Sequence, residues 1–545
     1  MKNLAVLVAA LVFSALGQPA TIHVPVDQPT IQDAIDATAG GDTVLVAPGT
    51  YKENLDFLGK AITVISSGGN TVTTIDGKQS GCVVMFVNGE GLDSVLEGFT
   101  VTNGSGYSTG AYSSVYGGGI YCDSSSPTIR DNVITENKIE TFFSNGNGAG
   151  IYCTNASPLI EGNLIWKNLA TGNNHTGGGI YSGGGGSPMI VDNAIINNQV
   201  QGYAASYLDG RGGGIYCGGG HAVVARNLVQ DNVASGYDAF GGGIYCMSCP
   251  SLTLENNLII GNRALNTYKG DGDYPPPPPP PVVTGGGVFS TGTAPLIVNC
   301  TICDNSVNVS GGIAGLVLSE GTMLNSIVRS NTGGDQMSST DPIVQFSNIQ
   351  GGYPGTGNID EDPLFFNPSD HNYRLTNYSP CINRGTRDGA PGEDIVGTPR
   401  PFMGGVDMGA WEYVGVHPLQ ADLFSVSASS GGSVEFMLSA GTSNGGRVYA
   451  VFASLSGTVP GYPLPGGQTH LRINWDLFTS LVYSLMNTPV FQDFYGHLSP
   501  GGSKLVYLNS PPLPPTAVGV VMYYGYCLGA PWEFVSNPVE VDIVN

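Results

Sequence analysis

One hexapeptide recurs six times through the middle of this chain: GGGIYC at 117–122, GAGIYC at 148–153, GGGIYS at 177–182, GGGIYC at 212–217 and 241–246, and GGGVFS at 285–290. Its branched residue falls at 120, 151, 180, 215, 244 and 288, so the steps are 31, 29, 35, 29 and 44 residues. A second block follows at near-constant distance, as SPTIRDNVITEN from Ser126, SPLIEGNLIWKN from Ser157 and SPMIVDNAIINN from Ser187, with looser versions ending at Asn232, Asn262, Asn305 and Asn331. Each repeat holds two or three short β runs punctuated by Gly, Pro and Asn, with no helix-period segment between them. That pattern stacks as solenoid coils and not as βαβ units. About eight imperfect coils are expected.

Equivalent residues of neighbouring coils in a parallel stack lie about 4.8 Å apart, so like residues form ladders. One ladder is Asn132, Asn163, Asn193, Asn227 and Asn257; another is Asn137, Asn168, Asn198, Asn232, Asn262, Asn305 and Asn331. Asn suits a coil corner, because it tolerates the left-handed region and its amide can bond both backbone and stacked neighbour. Ile120 and Cys122 share a strand parity, so an inward Ile takes Cys122 inward and turns Tyr121 outward. The outward ladder is then Tyr121, Tyr152, Tyr181, Tyr216, Tyr245 and Phe289. Such a strip can bind sugar rings through its apolar faces, or stack on itself beneath overlying loops.

Nearly all the length variation falls between the second block and the next hexapeptide, at loops 138–147, 169–176, 199–211, 233–240 and 263–284. These loops emerge from one corner and carry Phe142, Phe143, Tyr203, Tyr207, Tyr237, Phe240, Tyr268 and Tyr274. They also carry Asp209, Arg211, Asp238, Asp271 and Asp273, which form either a Ca²⁺ or acidic site or a set of solvated loop charges. Seven prolines at 275–281 interrupt the sixth coil and must bulge outward as a polyproline II loop. His175 and His221 stand alone.

Cys122, Cys153, Cys217 and Cys246 form a further ladder. The adjacent pairs Cys122 with Cys153 and Cys217 with Cys246 come within disulfide range, although buried thiols stacked like Val fit equally. The CxxC spacings at Cys246/Cys249 and Cys300/Cys303 occupy different coil positions, so no zinc site is expected from them.

Lys2, an apolar run from Leu4 to Leu16 and a small-residue exit at Gly17 form a signal-peptide pattern over 1–17, so the chain is expected to be secreted, extracellular or cell-surface associated. No later stretch reads as a membrane helix. Removing Lys2 leaves 18 Lys plus Arg against 42 Asp plus Glu, a net charge of −24, which disfavours nucleic acid. A polyuronate would need a bridging cation such as Ca²⁺; neutral glycans face no such barrier. With 82 glycines, 11% charged residues and 41% hydrophobic residues, the composition is that of an all-β protein rich in tight turns.

Before the repeats, TIQDAIDA (Thr30 to Ala37) places Ile31, Ala34 and Ile35 on one helical face behind an N-cap Thr30, a short helix that plugs the open end of the stack. IQDAIDA, GDTVLVAPGTYKENL and GKAITVIS resemble the opening of secreted bacterial pectate-lyase-like proteins, and this resemblance implies a right-handed parallel β-helix over roughly 22–350. DPLF (Asp362 to Phe365), SPCINRG (Ser379 to Gly385) and VDMGAWE (Val406 to Glu412) are similar to a choice-of-anchor module. That family tends to carry Asp and Ala where this chain has Asn383 and Arg384. From about Gly415 the repeats stop and alternating stretches such as SVEFMLSA appear, as in a β-sandwich. Its end, FVSNPVEVDIVN, is similar to C-terminal modules of many secreted bacterial proteins.

The expected organisation is therefore a signal peptide at 1–17, a right-handed parallel β-helix at 18–414 with repeats at about 117–350 and a closing module at about 358–414, then a β-sandwich at 415–545. A monomer that binds polysaccharide on its tyrosine and loop face without catalysis is expected. The alternatives are a polysaccharide lyase or glycoside hydrolase using the same face, and a purely structural surface protein. Neither a paired-carboxylate pattern nor a basic cluster for uronates stands out in the sequence.

Overall fold

A computed structural model describes residues 19–545 except 111–112, 142–143, 203–207, 269–279, 293, 339–341, 459 and 467–468. The expected signal peptide, Phe142, Phe143, Tyr203, Tyr207, Asp271, Asp273, Tyr274 and prolines 275–279 fall outside the described residues. Among the described residues no helix is long and apolar enough to cross a membrane.

The chain winds as a right-handed parallel β-helix. Three long parallel sheets of 12, 11 and 10 strands form its walls. Hexapeptide residues stack in strict register, Ile120 on Ile151, Ile180, Ile215, Ile244 and Val288. Their side chains fill the bore with Cys122, Ile129, Ile134 and their equivalents, all fully enclosed. Each fully enclosed Ile stabilises the stack by about 1.5–3 kcal/mol. The stack is longer than the eight coils expected. Its first turns lack the hexapeptide yet continue the same register, Leu55 on Val84 and Val84 on Ile120, so self-comparison passes over them. The helix Ile31–Ala37 caps this end, with the Thr30 hydroxyl accepting from the Asp33 N–H and Ile31, Ala34 and Ile35 buried against the first strands.

Both Asn ladders are present and point inward, every member buried. The left-handed conformation belongs not to them, as expected, but to the residue before each. Asp131, Glu136, Lys167, Asp192, Asn197, Arg226 and Asp231 have φ of 54–57°, and Gly162 and Gly261 lie nearby at 66° and 67°. The preceding residue turns the corner and the Asn amide ties the coil to its neighbours.

Two further parallel sheets of six strands each stand out from one corner as a double-layered fin. In the second repeat coil the chain leaves along Leu169–Gly172, turns, returns along His175–Thr176 and re-enters through Gly177–Gly179. Glycine is required at this re-entry: Gly177 has φ +65°, and a Cβ on Gly179 would lie 2.7 Å from the Gly214 carbonyl. His175 lies between the fin layers, with Nδ1 donating to the Gly146 carbonyl at 2.9 Å; burial pulls its imidazole down to about 4, so it is neutral. Its volume matches the glycines around it, since a Cβ on Gly146 or Gly172 would meet the ring at 2.5 Å.

After the last coil, residues 360–413 fold back along the flank of the stack. Tyr373, Leu375, Ile382 and Met408 pack on Leu258, Ile260, Cys303 and Ile327. Three corner residues in the left-handed region hold the module: Asn256 donates to Glu393 O, Asn299 to Asp407 O and Asn325 to Thr386 O. A β-sandwich of four- and five-stranded sheets follows, its core built on Phe436, Tyr449, Phe494, Tyr524 and Tyr526. Arg387 of the module reaches Asp542 at 2.8 Å and Glu540 at 3.3 Å across the junction.

Candidate functional site

The hexapeptide tyrosines stack as a single column on the outer face of their sheet. Successive ring centroids from Tyr121 to Phe289 are 5.4, 4.7, 4.8, 5.3 and 5.2 Å apart, with interplanar angles of 12° or less. The ladder points away from the bore and stacks on itself, the second of the two arrangements the sequence leaves open, so it does not present an exposed strip of sugar-stacking faces. Tyr121, Tyr152, Tyr216 and Tyr245 are only 4–8% exposed, and each ring face is covered by the next ring. Solvent meets ring edges, not faces.

The reason is the fin. Its strands nearest the column end in Tyr116, Asn147, Thr176, Arg211, Phe240 and Thr284, all half-buried. Tyr116 lies 4.9 Å from the Tyr152 ring and Phe240 5.1 Å from Phe289, while Arg211 sits over Phe240 at 5.9 Å. The tyrosine sheet and the fin thus meet in a re-entrant corner that runs along six coils. Its outer rim is Asp123, Thr154, Gly183, Gly218, Met247 and Thr291. The Tyr121 hydroxyl donates to Asp123 at 3.3 Å and the Tyr245 hydroxyl to Met247 Sδ at 3.5 Å. At the centre Gly183 and Gly218 carry no side chain, and a Cβ on Gly183 would lie 2.6 Å from the Tyr181 hydroxyl. The middle of the corner is lined by hydroxyls, one amide, phenol edges and Arg211, whose charge is matched by Asp209 at 2.7 Å.

The loop residues are less free than the sequence suggests. Tyr237 is buried, edge-on to Tyr268 at 5.3 Å, and does not face solvent as a binding ring. Asp209 pairs with Arg211 at 2.7 Å; burial raises its carboxyl although Arg211 opposes the shift. Asp238 accepts the Val282 N–H at 2.6 Å. Each carboxylate has a partner of its own, and among the described residues no three His, Cys, Asp or Glu side chains converge as a metal site. Asp209 and Asp238 lie close enough for the Asp238 charge to push the Asp209 carboxyl up, while Asp271 and Asp273 fall outside the described residues.

Cys122 lies beside Cys153 and Cys217 beside Cys246 in register, as the ladder requires. All ten cysteines are free and buried, so the two disulfides are not formed, and the thiols of Cys122, Cys153, Cys217 and Cys246 fill the bore like Val. The fin wall was missed in the sequence, although its signal is there: two residues precede each hexapeptide as VY, GN, HT, GR, AF and VT, the first buried in the fin in all but the outermost pair, where Val115 is half-buried, and the second facing the corner.

Two cavities lie elsewhere. One of about 850 Å³ sits where Asp360 and Glu361, Tyr378 of the module, and His470 and Arg472 of the sandwich come together. Another of about 310 Å³ is lined by Asn383, Arg384 and Arg387 of the module and by Ser456, Tyr523 and Glu540 of the sandwich.

No curated protein matches this chain. Residues 140–350, which hold most of the fin and five of the six hexapeptides, are similar to the protein family described as right handed beta helix region.

Proposed function

We propose that this chain is a secreted or cell-surface protein that holds a neutral polysaccharide, without catalysis, in the corner between the tyrosine column and the fin. The carrying observation is that corner: a straight, six-coil path of uniform step whose centre offers Asn147, Thr176, Thr154, phenol edges and the mutually neutralised Arg211–Asp209 pair. Extended glycans present alternating hydroxyls and apolar ring edges, and such a path matches both. The engaged Asp209 and Asp238 favour a neutral glycan over a polyuronate bridged by Ca²⁺. The N-terminal apolar run supports export, and the sandwich suits attachment or presentation.

Affinity electrophoresis through gels containing soluble neutral polysaccharides, with acidic ones run with and without Ca²⁺, tests the reading. Retention by a neutral glycan, lost in Asn147→Trp and Thr176→Trp, is the expected result. Release of reducing ends or unsaturated uronates would overturn the non-catalytic assignment. Silence across all glycans would leave a structural surface protein.

A further inference from the structure

Arg384 is 3% exposed, and among the described residues it makes neither an ion pair nor a hydrogen bond; its Nε is enclosed without a partner. The neighbouring arginines are engaged: Arg400 with Glu412 and Asn256, Arg387 with Asp542 and Glu540, Arg472 with the carbonyls of Tyr378 and Ser379. Burial, reinforced by repulsion from Arg472, pulls the Arg384 guanidinium down to about 10. The Glu361 carboxylate opposes part of this shift from a distance, but no carboxylate pairs with the guanidinium, and an enclosed cation without a paired counter-charge is costly to keep.

Arg384 also lines the cavity of about 310 Å³ between the module and the sandwich. That volume is at the lower end of small-molecule sites, about 300–1,000 Å³. Thr386, Ser456 and Thr458 bring hydroxyl-bearing residues to its wall, and Tyr523 brings an aromatic surface. Asp388, Glu540 and Asp542 face it too, with Arg387 shared between the last two, which leaves that wall unfavourable to a dianion and directs a single carboxylate to the Arg384 side. A planar guanidinium fork matches a carboxylate in two parallel hydrogen bonds.

We propose that this cavity binds a small hydroxylated monocarboxylate of sugar-acid size, its carboxylate on Arg384 and its hydroxyls toward Thr386, Ser456 and Thr458. The site is separate from the corner beside the tyrosine column and does not depend on it. It also gives a role to the Asn383–Arg384 pair that stands where the resembling family tends to carry Asp and Ala.

Calorimetric titration of the full chain with galacturonate, its methyl ester, sulfate and phosphate tests the proposal. Galacturonate is expected to bind, with the ester, Arg384→Met and the cavity-filling Thr458→Trp each weakening binding by at least about tenfold. Thr458→Trp leaves Arg384 in place, so it reads the cavity even if Arg384→Met folds poorly. Asn147→Trp and Thr176→Trp are expected to leave galacturonate binding unchanged, which separates this site from the corner. No binding of galacturonate, equal binding of its ester, or unchanged binding in both cavity variants would overturn the proposal. Sulfate or phosphate binding as tightly as galacturonate would overturn the carboxylate assignment.

Discussion

Oδ1 of Asn198 accepts both the backbone N–H of Asn168, at 3.1 Å, and its side-chain amide, at 2.9 Å. Asn198 then donates its own amide to Ile165 O and to Asn232 Oδ1, so one side chain joins three successive coils. Asn198→Ala orphans the two Asn168 donors and the Ile165 carbonyl, and should cost about 2–4 kcal/mol in urea unfolding. Asn198→Asp keeps the acceptor but aims its second oxygen at two other acceptors. It should be at least as damaging at neutral pH and recover toward pH 4, since burial raises the new carboxyl and the stability present when it is protonated is lost as pH rises through its folded pKa. Equal stability of the three proteins would contradict the ladder's inward orientation.

Glu540 links the last strand of the sandwich to Arg387 of the module, and burial drives its carboxyl from 4.5 up to about 7 despite that arginine. Between these values the folded chain keeps a proton that the unfolded chain releases. The group's contribution is therefore full below pH 4.5 and lost by about pH 7, a span of up to about 3 kcal/mol. Glu540→Gln removes the titration, so the stability of the variant relative to the native chain should climb by about 1–3 kcal/mol from pH 4.5 to neutrality. A flat difference would mean that Glu540 titrates like an exposed carboxylate.

The sequence spoke most clearly where one residue type serves one repeated task. Ile120 and its equivalents, the paired Asn ladders and the Thr30 cap are local or periodic, and periodicity fixes direction. It also turned Tyr121 outward correctly. What it could not supply was the fin, because pairs such as HT or GR before a glycine triplet are too short to show alternation; without the fin, exposed and covered tyrosine columns could not be told apart. Loop charges failed for a related reason: Asp209 comes just before the two-residue strand Gly210–Arg211 and pairs with Arg211 two residues on, a geometry fixed by the turn into the fin. Arg384 was visible only as a departure from a resembling loop, since its isolation depends on a sandwich some 150 residues further along.

All ten thiols are enclosed, and burial pushes those of Cys82, Cys249 and Cys300 up to about 12. Alkylation needs an accessible thiolate, so iodoacetamide at pH 8 should label no cysteine in the native chain and ten after unfolding. Mass spectrometry that counted eight or six labels after unfolding would instead reveal one or two disulfides, with Cys122–Cys153 and Cys217–Cys246 the pairs already in register.

The flank module depends on one enclosed ion pair. Arg400 Nε lies 2.6 Å from Glu412 Oε1 with both side chains at most 1% exposed, Nη1 reaches Asn256 Oδ1 of the solenoid corner at 2.5 Å, and Nη2 reaches Gly409 O at 3.0 Å. Arg400→Met removes the cation that holds down the Glu412 carboxyl, already raised by burial to about 7, and frees the Asn256 carbonyl oxygen, a loss of up to about 3–5 kcal/mol at neutral pH. Contacts between coils are local, so the damage should stay on the flank: the module loosens while the stacked coils persist. Limited proteolysis should then cut within 386–399 at enzyme levels that spare the native chain, with the β-sheet circular dichroism signal of the solenoid retained. Asn256→Ala, which removes one partner of Arg400 and the amide donated to Glu393 O, should produce the same cleavage more weakly. Global unfolding in either variant would show instead that the module and the coils form one cooperative unit.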